Sequence, residues 1–370
     1  MRGGRSRLPA STDTELLTAL LADEPAEDTV AALLQVLPRV RGAFSLVILD
    51  QKRVIGVRDP HGFRPLVLGR IPATERAPGG PNDGTLWDDE AHVGWCLSSE
   101  TASLDIVGAE FIRDVEPGET VILEPGRLPR SVRYAEANPK LCVFELIYFA
   151  RPDSYLEGRS LYEARRRMGI QLAMEHPADT DLVMPVPDTG GPAAAGYAEA
   201  AGIPYREGLV RNRYTGRTFI QPSQTLRHRG VTMKLNPLRD VVRGQRLTVV
   251  DDSIVRGTTT KQIVALLRRA GAAEVHVRIS APPIYHPCFY GIDTQVETEL
   301  IAATHSVEEI REFIGADTLG FLSIAGVLAA LDLPYEQFCF ACFDGRYPEP
   351  VPYDVEHRKF LLEEPVATRG

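Results

Sequence analysis

Between Leu247 and Thr260 the chain reads LTVVDDSIVRGTTT, which sets two adjacent carboxylates and a Gly/Thr turn directly behind an apolar run. Leu247 to Val250 are apolar or β-branched, as expected of a central strand covered on both faces in an α/β sheet. Asp251 and Asp252 then fall at its carboxyl end, the edge where open parallel sheets bind ligands. Arg256-Gly257-Thr258-Thr259-Thr260 follows, and beyond it Ile263, Val264, Leu266 and Leu267 recur at helical spacing. The turn therefore opens a helix, where free N–H groups and the helix dipole favour an anion. Threonine hydroxyls add donors, and Gly257 lets the backbone approach closely. Two acids would repel a bare phosphate, so sugar hydroxyls, a metal ion or both are their expected partners. The implied ligand carries a phosphate, a sugar and Mg²⁺. Taken alone, the acid pair also fits an ordinary strand-loop-helix with solvated carboxylates and capping threonines.

A second turn offers related chemistry. Leu182 to Val186 predicts a strand, and the glycines of Pro187-Asp188-Thr189-Gly190-Gly191 behind it expose N–H groups as an anion nest. Residues 211–238 carry Arg, Lys and His but no Asp or Glu. A solvated loop is the plainer reading of such a run, but its place between two anion-binding turns favours a binding role. Of the five cysteines, Cys96 sits in a strand-like WCLSS run and reads as a buried structural thiol. The others are Cys142, Cys288 and the CxxC pair Cys339 and Cys342, whose spacing by itself favours zinc over unrelated buried thiols.

The elements that must position these groups make up 370 residues, 44% of them hydrophobic, enough for two domains with sizeable cores. A net charge of −9 with scattered basic residues argues against nucleic acid as a partner. No apolar run approaches the roughly 20 residues of a membrane span, and the polar start MRGGRSRLPASTD lacks the apolar core of a signal peptide. A cytoplasmic location follows, in which five cysteines are too few for a disulfide scaffold.

In order, the pattern predicts a disordered lead over 1–10, a helix from Ser11 to Leu21 and a second helix over DTVAALLQVLPRV. Strands at 43–50 and 52–60 form a hairpin through Asp50-Gln51, and a polar loop covers 71–90. Short strands then run to a polar linker, Glu124 to Pro139. The domain boundary falls there, dividing the chain into 1–130 and 131–370. An amphipathic helix over 160–176, an alternating strand within 272–283 and helices at SVEEIREFIG and IAGVLAALDL complete the pattern.

The string VVDDSIVRGTT closely resembles the phosphoribosyl-diphosphate (PRPP) loop of type I phosphoribosyltransferases. STDTELL, RDPHGFRPLVLG, SSETASLD and DVEPGE, in that order, resemble the distal part of the glutaminase domain of amidophosphoribosyltransferases, and LCVFELIYFARPD resembles their linker. The resemblance implies a type I phosphoribosyltransferase parallel sheet with flanking helices, preceded by a truncated αββα N-terminal-nucleophile hydrolase domain. By the same resemblance Asp251, Asp252 and Ser253 bind ribose hydroxyls, with Mg²⁺ at Asp251, Asp252 and Thr189. Arg256 to Thr260 cradle the 5-phosphate, Asp188 lies in the pyrophosphate turn, and Arg217 and Lys234 approach the pyrophosphate from a closing loop. Asp13 matches a residue that holds the amino group of glutamine. CVFE, PCFYGID and the terminal CxxCF match the contexts of a [4Fe–4S] subgroup, assigning Cys142, Cys288, Cys339 and Cys342 to that cluster.

The family also implies a homo-oligomer, the first step of purine synthesis, and inhibition by purine nucleotides. Residues 1–95 contain no cysteine, and the HRGQ, RYST and NGN segments of the glutamine pocket are missing. The expected activity is therefore transfer of ammonia to PRPP, without glutamine hydrolysis. A non-catalytic PRPP- or nucleotide-binding regulator of the same fold is the alternative. A salvage phosphoribosyltransferase would lack both the glutaminase segments and the four cysteines.

Overall fold

The computed structural model describes residues 12–72, 94–212, 235–292, 294 and 297–351. The helix Asp13–Asp23 starts where expected, its N-cap Thr12 accepting from the N–H of Glu15. The helix Thr29–Val36 is capped by Asp28, and its Val30, Leu33 and Val36 are buried. Next come β1 (Ser45–Leu49) and β2 (Val54–Arg58), joined as the expected antiparallel hairpin.

Strand β3 (Val67–Ile71) does not extend that hairpin; it pairs with β4 (Gly94–Ser98) and β5 (Glu110–Asp114) in a separate sheet. The reason lies in the turn RDPHGF. Asp59 accepts from the N–H groups of Phe44, His61 and Phe63 at 3.2, 2.9 and 3.4 Å, folding the chain back on itself. Gly62, at φ 59°, completes the reversal. Strands β6 (Glu119–Leu123) and β7 (Arg130–Arg133) add to the first sheet, in the order β1-β2-β6-β7. Strand β7 lies inside the segment expected to be a linker. Alternate residues of that stretch serve different environments, with Val132 packed against the core beside Ile55 and Ile122 while its neighbours are exposed.

The rest follows from β8 (Leu141–Cys142), the hairpin β9 (Tyr155–Leu156) and β10 (Arg159–Ser160), then β11 (Leu182–Pro185), β12 (Leu209–Arg211), β13 (Leu235–Pro237), β14 (Arg246–Asp251), β15 (Glu274–Ile279), β16 (Thr318–Phe321) and β17 (Phe338–Cys339). Strands β11, β14, β15 and β16 make one parallel sheet in that order. The helices Leu161–Glu175 and Gly191–Ala201 pack together through glycine: a Cβ on Gly169 would lie 1.9 Å from Ala193 O, and one on Gly196 1.9 Å from Arg166 O.

The alternation expected of β15 does not produce a wet face. His276 and Arg278 are buried, and Arg278 donates to His176 O, Val277 O and Thr318 Oγ1 at 2.7, 2.9 and 2.9 Å. A central parallel strand is covered on both sides, so its polar residues must find partners inside. No described helix is long and apolar enough to cross a membrane.

Candidate functional site

Pairing of β11 with β14 brings the Pro187–Gly191 turn and the Asp251–Gly257 turn side by side. Pro185 stands opposite Val250, and the Val186 N–H donates to Val250 O at 2.8 Å. Thr189, four residues past the end of β11, donates its hydroxyl to Asp252 Oδ2. Ser253 Oγ donates to Asp252 Oδ1 at 2.6 Å, and the Asp252 N–H donates to Asp251 Oδ1 at 2.9 Å. Gly190 is required here: a Cβ would lie 2.5 Å from Val250 O.

Both carboxyls are buried, and burial holds Asp251 well above the ordinary aspartate range and raises Asp252 as well. The neighbouring Asp252 raises Asp251 further, while the hydroxyls of Ser253 and Thr189 and the Arg165 guanidinium oppose the rise at Asp252. Two buried acids without an ion-pair partner among the described residues favour a divalent cation, which would make both forms anionic. Arg165 acts on Asp252 through its charge, while its Nε and Nη2 donate to Leu146 O and Ala150 O at 2.8 and 2.6 Å.

The helix Thr258–Ala270 begins immediately after Gly257, which adopts φ 71°. Its first N–H groups have no helical acceptors, and Thr258 and Thr259 are exposed there whereas Thr260 is buried. A Cβ on Gly257 would meet Ile301 Cδ1 at 2.9 Å, so the turn excludes a side chain by space as well as by φ. The Arg256 guanidinium pairs with Glu299. Asp188 is largely exposed and accepts from Arg211 Nη1 at 2.5 Å. Arg217 and Lys234 lie outside the described residues.

Three nearby residues escaped the sequence reading. Tyr148 lies in the irregular helix Glu145–Phe149, and its phenol is pushed up by burial and then by Asp252 and Asp251. Arg165 and Arg211 are the others. Their signal was weak, since Tyr148 sits within the apolar and aromatic run LCVFELIYFARPD and Arg165 within a basic stretch of an amphipathic helix.

Asp13 is placed elsewhere, at the rim of a cleft of about 520 Å³ shared with Arg64, Glu145, Phe149 and Tyr290. Cys142, Cys288, Cys339 and Cys342 are free and buried. Cys142 and Cys339 are register partners on β8 and β17, and Cys288 packs with Cys339 and Phe63. Burial pushes the Cys142 and Cys339 thiols up to about 12. Cys342 is raised by burial and then by the proximity of Cys142, Cys288 and Cys339. The four thiols thus sense one another, yet among the described residues no group of three or more His, Cys, Asp or Glu is arranged to hold a metal ion. Cys96 is half-buried on β4, apart from these.

A family profile described as "Glutamine amidotransferase domain" matches residues 3–76. An amidophosphoribosyltransferase of Synechococcus elongatus is 51% identical over 359 residues, covering 96% of this chain and 69% of that protein. The enzyme of the same name from Bacillus subtilis is 46% identical over 93% of this chain and 69% of its own. Two solved structures superpose with TM-scores of 0.83 and 0.82, each at 45% identity over 95% of this chain. One is described as the allosteric regulatory enzyme of purine biosynthesis, the other as the B. subtilis glutamine PRPP amidotransferase complexed with ADP and GMP.

This mixed α/β fold, with its paired turns, is that of a transferase. The chain belongs to the amidophosphoribosyltransferase family, and it spans about two thirds of the length of the relatives it matches.

Proposed function

We propose that this polypeptide transfers ammonia to PRPP, giving 5-phosphoribosylamine and pyrophosphate, the first step of purine synthesis. The observation that carries the reading is the Thr189–Asp252 hydrogen bond, which joins the turn after β11 to the acid pair after β14. A diphosphate on one turn and a ribose 5-phosphate on the other span that junction. Asp251, Asp252 and Thr189 would hold Mg²⁺ there, and the ion supplies charge neutralisation to the departing pyrophosphate. The residues fit such an ion: two buried carboxyls and a hydroxyl present oxygen donors only.

The reaction breaks the bond from the anomeric carbon to the pyrophosphate oxygen and forms one to nitrogen, the ammonia then losing a proton to solvent. Positive charge grows on the sugar ring as pyrophosphate departs. The buried aspartates are positioned to stabilise that charge through the ribose hydroxyls. The N–H groups at the start of Thr258–Ala270 hold the 5-phosphate in place. Arg217 and Lys234 are assigned to the pyrophosphate, and Asp188 with Arg211 to the rim of its turn. Ammonia is already a nucleophile and needs no activating base.

Residues 1–95 carry no cysteine, so they offer no thiol for attack on glutamine. Asp13 is assigned to the amino group of that substrate, at the rim of its cleft. Cys142, Cys288, Cys339 and Cys342 are proposed as ligands of a [4Fe–4S] cluster. Their burial, their mutual influence and the Tyr290 N–H donated to Cys288 Sγ at 3.3 Å fit thiolate ligation, in which such hydrogen bonds tune the sulfurs. A domain boundary just past β7, a cytoplasmic homo-oligomer and control by purine nucleotides complete the proposal.

The deciding assay follows phosphoribosylamine formation from PRPP and Mg²⁺ with ammonia and, separately, with glutamine. Turnover with ammonia alone is expected. Silence with ammonia would refute the transferase reading, and turnover with glutamine would refute the restriction. Purification without oxygen should give a brown protein with about four irons per chain; a colourless zinc protein would overturn the cluster.

A further inference from the structure

A cavity of about 330 Å³ opens between the turn after β2, the β9–β10 hairpin and the segment leading into β17. None of its wall residues belongs to the turns that carry Thr189, Asp251 or Asp252. Most of the wall is apolar, with Leu141, Leu146, Leu156, Leu333 and Phe338 contributing. The charged groups that interrupt it are unequally matched. Arg58 is fully buried and makes four hydrogen bonds, donating to Val115 O at 2.7 Å, to Gly62 O and Arg64 O at 3.0 Å, and to Glu157 Oε1 at 3.1 Å. Glu157 therefore balances Arg58. His61 holds Asn138 O and Glu349 Oε1 at 2.8 and 2.9 Å, so its ring nitrogens are occupied too.

Arg159 differs. It donates from Nη1 to Leu331 O at 3.1 Å, its buried Nε has no hydrogen-bond partner, and among the described residues no carboxylate pairs with it. The chamber thus combines an apolar body with one guanidinium that has no carboxylate partner among the described residues. With Nη1 on Leu331 O and Nε enclosed, this guanidinium matches a carboxylate by its charge and its remaining N–H donors. A cation would face two guanidiniums, and a dianion would add a second charge close to Glu157. The volume admits a body of one ring or a short chain.

We propose that this chamber is a binding site for a small monocarboxylate with an apolar body, held by Arg159. Its wall draws on residues before and after the segment Glu124 to Pro139, so an occupant would tie the two parts of the chain together. The inference stands whether or not the transferase reading above holds.

Isothermal titration of the full chain with phenylacetate, 2-phenylethanol and 2-phenylethylamine tests it, since the three share a body and differ in charge. Phenylacetate should bind at one molecule per chain, the alcohol about tenfold more weakly or less, and the amine not at all. Arg159→Gln should reduce phenylacetate to the affinity of the alcohol, and Leu156→Phe, which fills the chamber, should weaken both. Absence of phenylacetate binding, equal binding of acid and alcohol, or unchanged affinity in a folded Arg159→Gln variant would overturn the proposal. Near-ultraviolet circular dichroism reports whether the variants fold; should Arg159→Gln fail to, the charge series on the unaltered chain decides.

Discussion

Arg64 Nη1 donates to Glu145 Oε1 at 2.6 Å, so the turn that ends the first hairpin is fixed to the irregular helix that carries Tyr148. The same guanidinium donates from Nε and Nη2 to Tyr290 O at 3.2 and 3.0 Å, in the segment that holds Cys288. One side chain therefore joins three segments far apart in sequence.

Removing it should be costly. Glu145 is buried and burial already raises its carboxyl, which Arg64 opposes. Arg64→Met leaves that acid without its partner and should destabilise the fold by about 3 kcal/mol. Glu145→Gln, which still offers an acceptor, should cost about 1 kcal/mol. Urea denaturation of the two variants checks the order, and equal losses would contradict it.

The helix pair beneath the site tolerates no added methyl group. With Ala193 O and Arg166 O standing where a Cβ would go, Gly169→Ala or Gly196→Ala must push the helices apart, at a cost of about 3 kcal/mol. Because Gly191–Ala201 follows the Thr189 turn directly, ammonia-dependent turnover should fall along with the melting temperature.

Asp251 and Asp252 should show opposite effects on stability and activity. Each has a folded-state carboxyl raised above its unfolded value. The stability linked to such a group is present in full below the unfolded value and lost as pH rises through the folded one. Near neutral pH without metal the ionised pair is a burden, so Asp251→Asn should raise the melting temperature while lowering kcat/KM about 100-fold or more. The thermal gain should disappear at pH 3.5. A variant both less stable and less active at pH 7.5 would contradict the electrostatic account.

Asp114 offers a milder case outside the site. Burial, then Glu157, pushes its carboxyl up to about 6, and Oδ1 is buried without a partner. By the same sign, its protonated form stabilises below the unfolded value and that contribution fades as pH rises through about 6. Asp114→Asn should therefore stabilise by about 1 kcal/mol at pH 7.5, a figure reduced for partial solvent screening, and by little at pH 4. Denaturation curves at the two values provide the check.

Much of the candidate site was legible because its pieces are local. A strand, two acids and a Gly/Thr turn are consecutive, so period and turn chemistry alone placed Asp251, Asp252 and Gly257 at a sheet edge and a helix start. The same holds for the hairpin β1–β2 and the cap at Thr12. β3 was harder, since RDPHGFRPLVLG continues the strand pattern of β2 and nothing in its period says that Asp59 folds the chain into another sheet.

Contacts between distant segments had to come from the tertiary structure. Thr189 and Asp252 are 63 positions apart and meet because β11 and β14 are neighbours in a parallel sheet, which the order of strands along the chain does not state. The ion pair between Arg256 and Glu299, 43 positions apart, likewise depends on which segments the fold brings near. The sequence by itself determined the strand end, the Gly/Thr turn and the helix that follows it, through short-range backbone geometry. Which charges are balanced among the described residues, Arg58 with Glu157 but not Arg159, was decided only when distant segments packed together, because burial and pairing are properties of the whole fold.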